Sequence, residues 1–162
     1  MSDTAIDIRP VTPDDIPTIL DFVRALAAYE REPDAVVATE TSLHEALFGP
    51  KPAAEAVIAR VDGQPAGLAL WFQNFSTWTG RPGLWLEDLF VYPDYRRRGV
   101  ARALFVHLAR LCRDRNYSRL EWSVLNWNQL ALDFYASLAA EPMSEWTTQR
   151  LSGKALDRLA GD

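Results

Sequence analysis

The sequence predicts an α/β fold: a mixed central β-sheet flanked by α-helices, in a single domain spanning residues 1–162 with its core over 6–152. Three observations predict it. Apolar residues switch repeatedly between a period of two and helical spacing. The order of segments is strand, two helices, three strands, helix, strand, helix, then an extended tail. The strand–helix–strand passage over residues 84–125 calls for a parallel crossover.

Residues 5–9 alternate apolar and polar and predict the first strand. Thr12-Pro13-Asp14-Asp15 supplies a capping hydroxyl, a proline suited to the first helical position, and acids near the positive end of a helix dipole. Ile16, Ile19, Leu20, Val23, Leu26 and Ala27 then keep helical spacing to about Tyr29. Residues 30–38 are polar, carry Pro33 and read as a loop. Thr39-Glu40 opens a short second helix that Gly49-Pro50 stops. Apolar runs at 54–61 and 66–75 flank Asp62-Gly63, a hairpin signal whose four-residue gap exceeds the tightest turn. A loop at 76–82 leads to the central strand at 84–92, and the longest helix spans 99–115. A strand at 120–125 and a helix at 128–138 follow; 141–151 is mixed and β-leaning, and 154–159 reads as a terminal helix.

Composition narrows the function. A net charge of -5 argues against general nucleic-acid binding, where a basic surface supplies most of the affinity, and suits a cationic ligand. Cys112 is the only cysteine, so no internal disulfide can form; it reads as a small core residue of the long helix. No apolar run approaches the roughly 20 residues of a membrane span. The first four residues lack the basic and apolar regions of a signal peptide, so the expectation is a cytoplasmic protein. His44 and His107 fall on separate helices without ligand spacing, and no metal is expected.

Chemistry concentrates in residues 84–102. Leu84-Trp85-Leu86-Glu87-Asp88-Leu89-Phe90-Val91 reads as a buried strand bearing adjacent carboxylates, which must be satisfied or functional. On a regular strand Glu87 and Asp88 face opposite sides; a bulge would re-aim one of them. Arg96-Arg97-Arg98-Gly99-Val100-Ala101-Arg102 then opens a helix. Small residues at 99 and 101 admit a ligand to the backbone, whose N–H groups, with the arginines, can hold a pyrophosphate. Gly99-Val100-Ala101 lacks the further glycine of a dinucleotide fingerprint, and Gly153-Lys154-Ala155 lacks the upstream glycine and the following Ser/Thr of a P-loop. Glu30, Glu32, Asp34, Glu40 and Glu45 face a single Arg31 in their stretch, which favours a cation. Trp78 can stack on an ammonium.

The Arg-x-x-Gly-x-Ala turn after Leu89-Phe90-Val91 resembles the acetyl-CoA motif of the GNAT N-acetyltransferases. Ile8-Arg9-Pro10, Tyr29-Glu30, Phe75-Ser76-Thr77-Trp78, Leu86-Glu87-Asp88, Asn126-Trp127-Asn128 and Phe134-Tyr135 extend the resemblance over roughly residues 6–150. As a set they resemble the diamine (spermidine/spermine-type) acetyltransferases, and the Ser-Thr-Trp loop is most similar to the thialysine-type branch. The chain lacks the acid near Ser76 found in the polyamine-selective branch, and has Ala139 where the family generally has glycine.

The resemblance implies a GNAT fold and acetyl transfer from acetyl-CoA to a primary amine of a small cationic acceptor, thialysine, a diamine or polyamine-like, by direct attack in a ternary complex. It implies pantetheine and acetyl contacts at the backbone of Leu89, Phe90 and Val91 and at Asn128. The pyrophosphate falls on Arg96, Arg97, Arg98, Gly99, Val100, Ala101 and Arg102. Tyr135 becomes the general acid: a phenol of pKa about 10 can protonate a leaving alkyl thiolate, though a tyrosine beside Phe134 also suits a core helix. Glu87 becomes the amine anchor that passes a proton through water, since an ordinary glutamate and an ammonium differ by about 6 pH units. Tyr29, Glu30, Trp78, Glu87, Asp88 and Glu145 become acceptor contacts, with Asp88 equally readable as a structural acid. A homodimer is expected from the family. Two other readings stand beside this one: a GNAT enzyme for an amino acid, aminoglycoside or protein lysine, and a non-catalytic acyl-CoA-binding module.

Overall fold

The structure is a computed structural model and describes residues 5–161. Its residues group into two compact units, Met1–Ser123 and Val124–Asp162.

The first unit is a five-stranded mixed sheet in the order β1-β2-β3-β4-β5: β1 (Ile6–Pro10), β2 (Glu55–Val61), β3 (Gln64–Ser76), β4 (Arg81–Val91) and β5 (Leu120–Glu121). Neighbours are antiparallel from β1 to β4, and β4 pairs with β5 in parallel. Helix α1 (Ile16–Tyr29) and α2 (Glu40–Phe48) bury Ile16, Ile19, Phe22 and Leu47 with Ala56, Ile58, Leu68 and Phe90 of the sheet. The opposite face receives α3 (Val100–Asp114), which buries Val100, Leu104, Phe105, Leu108 and Cys112. Close approach there depends on Gly67 of β3: a Cβ at that position would stand 3.0 Å from Val100 Cγ1 and 3.2 Å from Leu104 Cδ1.

Helix starts and stops follow the expected chemistry, with local differences. Thr12 N–H and Oγ1 donate to Asp15 Oδ2 at 2.8 and 3.3 Å and Thr12 O accepts from the Asp15 N–H at 2.9 Å, but residues Pro13–Asp15 form a 3-10 turn, and α1 proper begins at Ile16. Arg60 Nη2 of β2 donates to Asp15 Oδ1 at 2.8 Å and ties this turn to the sheet. Thr39 caps α2, its hydroxyl accepting from the Ser42 N–H at 3.1 Å. Three helices end in the same way. After α1, α3 and the later α4 (Gln129–Ser137), Arg31, Asn116 and Ala139 take left-handed φ values of 68°, 56° and 59°. In each case the next residue's N–H reaches back to a carbonyl of the last turn: Ala27, Cys112 and Tyr135.

Three sequence expectations are corrected. Val61 pairs with Gln64, so the β2–β3 turn is the two residues Asp62-Gly63, both left-handed, rather than a four-residue gap. The strand expected over 120–125 shrinks to Leu120–Glu121. Its pairing with β4 stops at Trp85, two residues before a bulge in β4, and a bulge bends its strand away from its neighbour. The β-leaning stretch 141–151 forms no strand, because β propensity needs a paired edge to express itself.

The second unit holds α4 and α5 (Gly153–Ala160). Asn128 caps α4, its Oδ1 accepting from the Ala131 N–H at 3.2 Å, and Gln129 donates to Asp133 one turn on at 2.7 Å. No helix of the described residues is long and apolar enough to cross a membrane.

Candidate active site

An irregularity in β4 decides where the carboxylates face. Leu70 pairs with Asp88 but Trp71 pairs with Leu86, leaving Glu87 as the extra residue of a β-bulge. Residues opposed across a ladder share a face. Asp88, opposite Leu70, therefore shares the α1 face with Phe90, opposite Leu68. Leu86, opposite Trp71, belongs with Ala69 and Gly67 to the face covered by α3. Without the bulge, Leu84 and Leu86 would share a face with Asp88 and Phe90.

The expectation of two carboxylates on a buried strand is corrected in one respect: Glu87 is exposed. Its Oε2 accepts from Trp85 Nε1 at 3.2 Å. Asp88 is half-buried, and its carboxyl is pushed up to about 6 by burial first, then by Glu87 and Glu30. Burial also raises Glu30. The end of α1 brings Glu30 to this place: Arg31 N–H donates to Ala28 O at 3.1 Å and Glu32 N–H to Ala27 O at 2.9 Å, turning the chain sharply after Tyr29. Asp88 thus lies within electrostatic reach of both Glu87 and Glu30, with the Tyr29 ring 6.2 Å from that of Phe90.

Beyond the bulge, β4 has an unladdered side. The last β5 pair is Trp85↔Glu121, so among the described residues the strand from Leu86 to Val91 has no ladder partner on that edge. Backbone groups of Leu89, Phe90 and Val91 on this edge can serve a ligand, Val91 O already accepting from Arg96 Nε at 3.1 Å.

The basic turn follows directly. Arg97 and Gly99 are left-handed, with φ of 61° and 79°, and Gly99 leads into α3. A side chain at 99 would meet nothing within 4 Å, so glycine is needed there for its φ rather than for space. An arginine in that conformation costs about 1–3 kcal/mol, strain of the kind found at ligand-binding turns. The first N–H groups of α3, at Val100, Ala101 and Arg102, precede the first helical bond, from Ala103 N–H to Gly99 O at 2.9 Å. Arg97, Arg98 and Arg102 are exposed beside them, and Arg98 rests 5.6 Å from the Tyr95 ring. Exposed cations, first-turn helix N–H groups that precede the helical ladder, and a strand side without a ladder partner among the described residues, in sequence, fit a long anionic, amide-bearing ligand such as acetyl-CoA.

Arg96 differs from its neighbours. It is half-buried, with its guanidinium carbon 5.0 Å from the Tyr29 ring centre and 5.6 Å from that of Phe90. Sequence reasoning grouped it with the other arginines, and no local signal separates it. The bulge did leave a signal: the apolar positions Leu84, Leu86, Leu89 and Val91 step by two, three and two, slipping one residue at Glu87.

Other candidates belong to other segments of the chain. Trp78 sits in the β3–β4 turn, 81% exposed, roughly 20 Å along the ladder from Asp88 at about 3.3 Å per residue. Asn128, Tyr135 and Glu145 belong to the second unit. Tyr135 lies in the last turn of α4, its ring 5.8 Å from that of Phe134, and Glu145 is exposed in an irregular segment. Cys112 is buried in α3, as expected. Among the described residues no three side chains group as metal ligands.

Residues 21–139 match the model of the Acetyltransferase (GNAT) family. The chain is 35% identical over 159 residues to a thialysine N-epsilon-acetyltransferase of Caenorhabditis elegans, covering 96% of this chain and 98% of that one. Against the Bos taurus protein of the same name, identity is 34% over 165 residues, with coverages of 95% and 96%. Among solved structures, integron cassette protein VCH_CASS6 of V. cholerae superposes with a TM-score of 0.80 at 25% identity, covering 97% of this chain and 98% of that one.

Proposed function

The chain belongs to the GNAT family as an acetyl-CoA-dependent N-acetyltransferase, and from that premise we propose that its acceptor is a small cationic primary amine of the thialysine or diamine kind. The observation that carries this reading is the Asp88 carboxylate, half-buried and repelled by Glu87 and Glu30, a repulsion that a bound ammonium would relieve. The names of the Caenorhabditis elegans and Bos taurus relatives support the same acceptor class.

Acetyl-CoA supplies an activated thioester carbonyl, and the remaining work falls to the chain. Exposed Arg97, Arg98 and Arg102, with the N–H groups of residues 97–102, hold the pyrophosphate. The unladdered edge at Leu89, Phe90 and Val91 binds the pantetheine amides and directs an N–H at the carbonyl oxygen, where negative charge develops. Asn128 adds a pantetheine contact. Glu87 and Glu30 anchor the amine from the exposed side, and Asp88 from the half-buried side. Glu87 passes the amine's proton on through water, and Asp88, pushed up to about 6, is a further acceptor for it, about 4 pH units below an ammonium near 10.4. The neutral amine attacks directly in a ternary complex, and Tyr135 protonates the departing thiolate. Both units act as one acetyltransferase domain, across whose boundary the family match runs. The family resemblance supports a homodimer, and the residue pattern of the chain supports a cytoplasmic location.

Steady-state release of CoA thiol across thialysine, lysine, ornithine, short diamines, spermidine and a basic peptide tests the acceptor. Turnover of one small amine at kcat/KM of about 10⁴ M⁻¹s⁻¹ or better is expected. Preference for the peptide, or silence throughout, would refute this acceptor class, and preference for spermidine would move it to the polyamine-like member.

A further inference from the structure

The four arginines of the basic turn are not equivalent. Arg97, Arg98 and Arg102 are exposed; Arg96 is half-buried and folded away from them. Its Nε donates to Val91 O at 3.1 Å, at the end of β4, while its guanidinium lies over Tyr29 and Phe90 at 5.0 and 5.6 Å. Tyr29 is the last residue of α1, and Glu30 follows it. A delocalised cation favours aromatic faces, and it also favours the negative end of a helix dipole. One side chain therefore links three parts of the first unit: the start of the phosphate turn, the end of β4 and the C-terminal end of α1.

We propose that Arg96 is a positioning residue for the acceptor side of the site, clamping the Tyr29–Glu30 end of α1 against β4 rather than binding phosphate through its side chain. The proposal rests on the acceptor reading above, because what the clamp sets is the place of Glu30 beside Asp88 and Glu87. Loss of the clamp loosens the last turn of α1 and weakens acceptor binding, leaving the exposed arginines to hold the cofactor. Lysine at 96 keeps the charge but not the planar face or the fixed Nε donor, so it recovers only part of the function.

The test compares Arg96→Gln and Arg96→Lys with Arg97→Gln and Arg102→Gln. For R96Q we expect the acceptor KM to rise by about tenfold and the acetyl-CoA KM to stay within about twofold, a tenfold change corresponding to about 1.4 kcal/mol. R96K should fall between wild type and R96Q, and R97Q and R102Q should show the reverse split. Hydrogen exchange supplies a readout that needs no acceptor. The N–H groups of Glu30, Arg31 and Glu32, bonded to Leu26, Ala28 and Ala27, should exchange about tenfold faster in R96Q, less so in R96K, and at the wild-type rate in R97Q and R102Q. A raised acetyl-CoA KM with unchanged exchange in R96Q would make Arg96 a phosphate ligand and overturn the clamp. If wild type turned over no amine of the panel, the acceptor reading would fall by itself. The clamp would then stand on faster exchange with unchanged CoA affinity, and fall on unchanged exchange.

Discussion

Replacing Asp88 by asparagine should make the protein more stable while impairing its acceptor binding. The Asp88 carboxyl is raised from 3.8 to about 6, by burial and then by Glu87 and Glu30. An acid whose pKa is higher in the folded chain ionises more readily in the unfolded one, so its ionisation favours unfolding. The penalty is absent below about pH 4, grows as the pH rises toward 6, and is constant above that. At 1.36 kcal/mol per pH unit it reaches roughly 3 kcal/mol. Asparagine has nearly the same shape and no charge, so D88N should gain up to about 3 kcal/mol at pH 8. For a chain of this length that is about 6–12 °C in Tm. Urea denaturation of both proteins from pH 4 to 8 reads the gain directly, and the two curves should converge at the acid end. Equal stability at pH 8, or a gain that persists unchanged at pH 4, would refute the argument that Asp88 is held ionised at a cost. The same penalty is what a cationic acceptor would relieve, so acceptor affinity in the wild type should fall as the pH drops through about 6.

Other outcomes follow from the same structure. Ala139→Gly should stabilise the chain by about 0.5–1 kcal/mol by thermal denaturation, because Ala139 ends α4 at a φ of 59°. Gly67→Ala should cost about 1–3 kcal/mol, since its methyl would press on Val100 and Leu104 and push α3 off the sheet; a neutral result would mean the helix gives way freely. Tyr135→Phe should lower kcat by about 10²–10⁴-fold with the acetyl-CoA KM nearly unchanged, measured by thiol release. An unchanged kcat would remove Tyr135 as the acid.

Much of this was legible in the chain. The helix boundaries at Tyr29, Thr39 and Gly99 are local matters of capping, dihedral preference and periodicity, and they stand where capping chemistry puts them. The hairpin at Asp62-Gly63 was recognised, but its length depended on whether Gln64 and Pro65 join the ladder, which only the partner strand decides. The β-leaning stretch 141–151 joins no ladder among the described residues, so propensity went unexpressed there.

By itself the sequence determined the fold class, the family and the adjacency of a carboxylate strand to a basic helix start, because periodicity, caps and contiguous motifs are properties of neighbouring residues. Only the tertiary structure decided which carboxylate is half-buried, where the β4 edge lies open, and that Arg96 turns toward α1. Each of these depends on groups far apart in the chain: on the β3 register that makes Glu87 a bulge, on a β5 only two residues long, and on an aromatic ring 67 positions before Arg96.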